Sequence, residues 1–404
     1  MTQEEEIAAL KEEEMELARH LMNEFPRSDG SHMLMGDLYA RHGNSTEAVK
    51  FWEKGLEINP TNFDAYRNTG RIALETEQFD RAVEFLRKAL EIRPDSADLR
   101  SDIAKALMDS GRYAEAITEL QQEINIFPLS FTARFQLAEA YRQQKEYDKA
   151  IEHYEQTIRL EPEHSHAHYG LAMVYARTGQ RDKARQFEAV FRKLRDKIDS
   201  VYSSRQSGSR EYLASLRASV VKTYLDAERL YRDSGNIAKA EELLNRASGL
   251  DRNNTRSLER LASLYYATNR AGKALECFEK VARLDPNNHL SHLNIGRIAT
   301  QLRMFEKAER ALRKAISLAP NNPAGYRELA RFYLGTKTNA AQAYSLAKKA
   351  ITLGRNAEAY FLLGWAADVN GDRIGALQAM EQATKLQPRN PKYRQIYETI
   401  KKKN

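Results

Sequence analysis

The sequence predicts an all-α protein built as an α-solenoid, in which antiparallel helix pairs stack on one another. Prolines recur every 34 residues, at Pro60, Pro94, Pro128 and Pro162, again at Pro286 and Pro320, and at Pro388 two periods later. Small and bulky apolar residues fall in register with them. Each period is interrupted twice, once near a glycine and once at the proline, so it holds two helices.

Residues 3–25 read as an isolated second helix, with Pro26 in the proline slot. The array therefore begins mid-unit, and residues 1–28 form an N-terminal half-repeat. Five units follow at 29–62, 63–96, 97–130, 131–164 and about 165–198. Their first helices share a small slot (Gly36, Gly70, Ala104, Ala138, Ala172) and stop near Gly43, Gly111 or Gly179 in three copies. Their second helices carry Ala48, Ala82, Ala116 and Ala150, with Trp52, Leu86, Leu120 and Tyr154 one turn later. Small residues at fixed places let two helices approach closely. One such hairpin cannot bury its apolar face alone, so neighbours must stack.

The fifth unit has Asp196 in place of the proline, and its second helix continues as one stripe through Phe187, Val190, Phe191, Leu194, Ile198 and Val201. The stretch SSRQSGSR at 203–210 breaks the pattern, and the phase resumes at Val221 after 22 inserted residues. Segment 201–220 reads either as a linker or as a helical extension between a first array, 29–200, and a second array, 221–390. In the second array Ala240, Ala274, Ala308 and Ala376 repeat the small slot, and Leu244, Phe278, Leu312 and Met380 the bulky one. Unit 323–356 is out of register by one residue, with Ala343 and Ala350 shifted. Residues 391–404 form a capping helix with a basic tail, Lys401-Lys402-Lys403.

Composition narrows the function. No apolar run approaches the ~20 residues needed to cross a bilayer. The start, MTQEEEIAALKEEEMELARHL, lacks the basic leader and apolar core of a signal peptide, so a cytoplasmic protein is expected. The single cysteine, Cys277, excludes a disulfide framework and multi-cysteine metal sites. Beside Phe278 on an apolar face, it reads as a small hydrophobe. Residues 1–200 carry 28 Lys/Arg against 37 Asp/Glu, net −9, whereas 201–404 carry 35 against 19, net +16. The halves present opposite fields to partners. No phosphate-binding glycine loop, nucleophile elbow or His-Glu-x-x-His pattern is present, so no enzyme and no cofactor are expected.

The pattern of Met35-Gly36, Tyr39, Ala48, Trp52 and Pro60 resembles the tetratricopeptide repeat family, and ten copies cover nearly the whole chain. The resemblance implies a right-handed superhelix of about ten 34-residue units. It also implies that positions 2, 5, 6, 9 and 12–13 of each unit face an inner groove that holds protein segments. On that implication the groove residues are Arg67 and Arg71 in the first half. In the second they are Arg229, Arg297, Arg327 and Arg331, with Phe361 and Trp365 at the end. Arginine beside aromatics suits an acidic, partly apolar peptide. Two specialised patterns of the family are missing. No unit has the Lys and Asn of the carboxylate clamp at positions 5 and 9, and only Asn68 and Asn294 supply an asparagine at position 6.

The stretch EPEHSHAHYG, 161–170, places three histidines at alternate positions, which on a strand could share a metal. The repeat register makes it a turn followed by a helix, where positions i and i+2 do not share a face. His168 then fills the aromatic slot held by Tyr66, Tyr224, Tyr326 and Tyr360 in other units, and His166 faces the groove. The expectation is no metal site. The leading function is a non-catalytic scaffold for protein–protein interaction. The alternatives are a nucleic-acid adaptor using the basic half, and self-association of acidic half with basic half.

Overall fold

The structure, a computed structural model, describes residues 2–204 and 208–402. The described residues form 22 α-helices and no strand. The chain divides into two compact units, Met1–Leu230 and Tyr231–Asn404.

In the first unit a lone helix, α1 (Gln3–Glu24), precedes five pairs. These are α2 (Asp29–Arg41) with α3 (Ser45–Ile58), α4 (Phe63–Glu75) with α5 (Phe79–Ile92), and α6 (Leu99–Asp109) with α7 (Tyr113–Ile126). Then come α8 (Phe131–Gln143) with α9 (Tyr147–Leu160), and α10 (Ser165–Arg177) with α11 (Arg181–Ser204). Helix α12 (Gly208–Asp233) carries the division between the units, which lies beyond the expected segment 201–220. Part of the SSRQSGSR stretch lies outside the described residues.

The second unit contains α13 (Ile237–Leu250), then α14 (Thr255–Ala267) with α15 (Ala271–Leu284), and α16 (His289–Gln301) with α17 (Phe305–Leu318). It ends with α18 (Pro323–Thr336) and α19 (Ala340–Leu353), α20 (Ala357–Val369) and α21 (Arg373–Leu386), and the single helix α22 (Pro391–Lys402). Tyr393 and Ile400 of α22 are buried, so it closes the end of this core.

The periodic slots are the core. Ala48, Ala82, Ala116, Ala150, Ala240, Ala274, Ala308 and Ala376 are fully buried, and each bulky partner from Trp52 to Met380 is buried with them. The fit is close. A Cβ on Gly36 would stand 2.5 Å from the Trp52 ring.

Turns within the pairs share one left-handed residue. Glycine holds it at Gly43, Gly111, Gly179, Gly235 and Gly371, with φ of 78–86°. In the remaining copies Glu77, Lys145, Asn269, Arg303 and Lys337 hold it, with φ of 56–63°. The joints between units are fixed by side-chain caps. Asn62, Ser130, His164, Asn254 and Asn288 each accept a hydrogen bond from the backbone N–H three residues on, a contribution of about 1 kcal/mol each.

Among the described residues no first helix precedes α1. Helix α12 lies against both α1 and α2, the two neighbours such a helix would have. Arg217 pairs with Glu6, and Tyr224 donates to Glu13, so α12 runs parallel to α1 instead of antiparallel. Thr223 donates to the buried Glu14, which also accepts from Arg41 at 2.6 Å. Leu230 packs over Gly30 of α2.

Candidate functional site

The first unit holds a cleft of about 390 Å³ between α2, α4 and α12. Asp37 is its anchor. It accepts from Trp52 Nε1 at 3.1 Å and from Asn68 at 3.4 Å, and Lys222 Nζ stands 3.2 Å away. Arg67 lies beside it, held by Asp64 at 2.8 Å and stacked over the Phe63 ring. Arg229, Asp226 and Leu230 of α12 form the facing wall, and Met33 and Leu34 supply apolar surface. The cleft therefore offers hydrogen-bonding groups, charges of both signs and an apolar wall.

This arrangement corrects one expectation. Arg229, expected in the second groove, lines the cleft of the first unit together with Arg67. The reason is the length of α12, which runs back to Gly208 and gains contacts with α1 and α2 that the repeat register cannot show. Arg71 does not line the cleft. It bonds Asp102 on α6 at 2.7 Å.

A second pocket of the first unit, about 230 Å³, is walled by Phe135, His166, Tyr169 and Met173. Tyr154 donates to Glu139 at its base, and Arg142 bonds the same carboxylate at 2.6 Å. Burial, with Glu139 beside it, pushes the Tyr154 hydroxyl pKa well above its ordinary value, so the phenol stays a donor. Gly170 leaves room for Tyr154: a Cβ there would stand 2.4 Å from its ring. Phe135 and Tyr169 are not among the expected groove residues, although both are aromatics at position 5 of adjacent units.

The histidine stretch folds as a joint. His164 caps α10, its Nδ1 accepting from Ala167 N–H at 3.1 Å. His168 is buried, bonded to the Pro162 carbonyl oxygen at 3.0 Å and set against Phe187. His166 is exposed at the aromatic pocket. No three metal-ligating side chains converge among the described residues. Cys277 is half-buried, and burial raises its thiol pKa.

In the second unit Arg297, Arg327 and Arg331 come together on α16 and α18, but interleaved with acids. Arg297 stands 3.6 Å from Glu328, Arg331 2.7 Å from the same residue, and Arg327 3.1 Å from Glu358, which also pairs with Arg331. Three cations face two carboxylates, so the ladder is far less basic than the sequence suggests. Phe361 departs from expectation. It is buried and stacks on Tyr393 of α22 with centroids 5.1 Å apart, so the capping helix takes it into the core. Trp365 is half-buried beside it. A smaller cavity of about 200 Å³ lies at Tyr266, Asn294 and Arg297. No described helix is long and apolar enough to cross a membrane.

Family models described as tetratricopeptide repeat match residues 33–97, 73–130, 141–187, 231–294, 290–322 and 357–390. No match covers 188–230 or 323–356, which hold the join and the unit whose register slips. No curated protein matches the sequence. Among solved structures, MamA is 25% identical with a TM-score of 0.40, covering 41% of this chain and 97% of its own. YrrB, described as a TPR protein with an unusual peptide-binding site, is 20% identical, with a TM-score of 0.39 and 46% and 97% covered. Yeast Tom70 is 17% identical, with a TM-score of 0.39 and 94% and 96% covered. From the repeat models, the 34-residue period and the stacked helix pairs together, the chain belongs to the tetratricopeptide repeat family.

Proposed function

We propose that the protein is a non-catalytic scaffold that binds extended or helical peptide segments and assembles a multiprotein complex. The observation that carries this is the cleft between α2, α4 and α12, where groove-position residues from two adjacent units meet a third helix. Arg67, Lys222 and Arg229 supply donors, Asp37 and Asp226 supply acceptors, and Met33 and Leu230 offer an apolar seat. Such a mixture suits a polypeptide better than a polyanion, because a nucleic acid backbone would meet the aspartates as repulsive charges. In the second unit an acidic segment would exchange Glu328 and Glu358 for its own carboxylates on Arg297, Arg327 and Arg331, with Trp365 as the apolar neighbour.

The test is affinity capture with the full chain, comparing wild type, Arg67→Ala/Arg229→Ala and Arg71→Ala. Proteins lost with the double variant and retained with Arg71→Ala identify cleft ligands. Equal capture by all three removes the cleft from the binding surface. Retained proteins that elute with a log–log salt slope near −1 per phosphate would point instead to bridging nucleic acid.

A further inference from the structure

The joint that opens unit 97–130 departs from the pattern of most others. Near the end of eight second helices one slot is filled by a small or compact residue, Gly55, Ala89, Thr157, Ala247, Val281, Ala315, Ala350 and Ala383, all buried, while α11 carries the partly buried Phe191 there. In unit 97–130 the same slot holds Glu123, which is 1% exposed. The next helix boundary is altered to suit it. Helix α6 starts at Leu99, Asp98 sits at φ 69°, and neither Asp98 nor Ser96 caps the helix with its side chain. Instead the Asp98 N–H donates to Glu123 Oε1 at 2.9 Å.

The altered joint opens a cavity of about 440 Å³. Glu123 and Asp98 line it beside Ile126, Phe127, Leu129 and Phe131. Leu129 is 77% exposed, the highest value for a large aliphatic among the described residues, while Ile126, at 45%, is exposed much as Ile58 and Leu386 are in the same slot of other units. The second oxygen of Glu123, Oε2, is buried and has no hydrogen-bond partner among the described residues. Arg100, whose charge reaches Glu123, bonds Glu119 and Gln122 instead, at 2.8 and 2.7 Å. A buried carboxylate oxygen without a donor is costly, and so is the left-handed aspartate before it.

We propose that this cavity binds a lysine side chain from a partner protein segment, the aliphatic stem lying along Ile126, Leu129 and Phe131 and the ammonium reaching Glu123 Oε2. Lysine combines a four-carbon apolar stem with a compact terminal donor, which is the chemistry the walls and base call for. Arginine would bring a planar fork to a site with one open acceptor oxygen. The identity of the occupant rests on the chain being a protein-binding scaffold, but the site shares no residue with the cleft lined by Arg67 and Arg229.

The test uses the full chain, methyl-labelled at isoleucine and leucine, titrated with acetyl-Gly-Lys-Gly-amide and with its norleucine counterpart into the millimolar range. The lysine peptide should shift the Ile126 and Leu129 methyls and bind about tenfold more tightly than norleucine, as expected for one charge-assisted hydrogen bond. Glu123→Gln, whose amide oxygen can still accept the Asp98 N–H, should erase that preference. Leu129→Ser, at an exposed position, should weaken both peptides. Arg67→Ala/Arg229→Ala should leave the titration unchanged, which separates this site from the cleft. Equal shifts from the two peptides, no shift from lysine, or a preference that survives Glu123→Gln would each overturn the proposal.

Discussion

Lys222 Nζ lies 3.2 Å from Asp37, although 185 positions separate the two residues in the chain. This pair belongs to the seat in which α12 rests on α1 and α2, and the seat has a buried centre. Glu14 is 1% exposed and depends on Arg41 and the Thr223 hydroxyl for its donors. Thr223→Val keeps the shape and removes one donor. It should destabilise the first unit by about 1–3 kcal/mol, while Thr223→Ser should cost well under half of that. Denaturant midpoints of the two variants measure the difference.

Gly36→Ala places a methyl 2.5 Å from the Trp52 ring and 3.0 Å from the Ala48 carbonyl oxygen. The indole must move, and its bond to Asp37 goes with it. The expected cost is about 1–3 kcal/mol. In a Trp365→Phe background Trp52 is the one remaining tryptophan, and its emission should shift to the red.

Burial holds the Glu123 carboxyl above its ordinary range, opposed by the hydrogen bond from Asp98. The folded state therefore keeps this proton to higher pH than the unfolded state does. Stability should fall as pH rises from the ordinary glutamate range, about 4.3, through the raised folded value. Glu123→Ala should abolish that dependence and add about 1 kcal/mol near neutrality. It restores the small residue of the other units, so α6 should regain its first turn with Ser96 as cap. Stability curves against pH and amide exchange at Ala97 and Asp98 check both halves.

Gly111 occupies the left-handed slot at φ +80°, and Gly111→Ala should destabilise by about 1 kcal/mol. Gly249, inside α13, meets nothing within 4 Å of a built Cβ, and Gly249→Ala should stabilise by about 0.5–1 kcal/mol. Thermal unfolding should move in opposite directions for the two.

Most of the helix pattern was legible in the sequence, because a period of 34 reports the same physical requirement ten times. The two slots that pack each pair, the turn glycines and the prolines all recur. Legibility ended where one copy departs for a non-local reason. Phe361 has a groove position in the register, but Tyr393 lies outside the repeats and covers it. Arg229 sits where its unit's groove residue should be, yet α12 is long enough to turn that residue into a wall of the first unit's cleft. The basic surplus of the second half was visible as composition, whereas its pairing with Glu328 and Glu358 depends on which helix faces align. Glu123 reads as one more surface acid until its slot is compared with the other units.

The docking of α12 on α1 also changes how the first unit should come apart. A solenoid with contacts only between neighbours is a one-dimensional chain, able to fray from either end and to fold from any point. Here Arg217 with Glu6 and Tyr224 with Glu13 join residues 211 positions apart. Those contacts turn a row into a closed circuit, so losing either end also removes support from the other. The first unit should open as one block, with its terminal helices exchanging amide protons about as slowly as its middle. Closing so long a loop late in folding slows the last step, as high contact order does elsewhere.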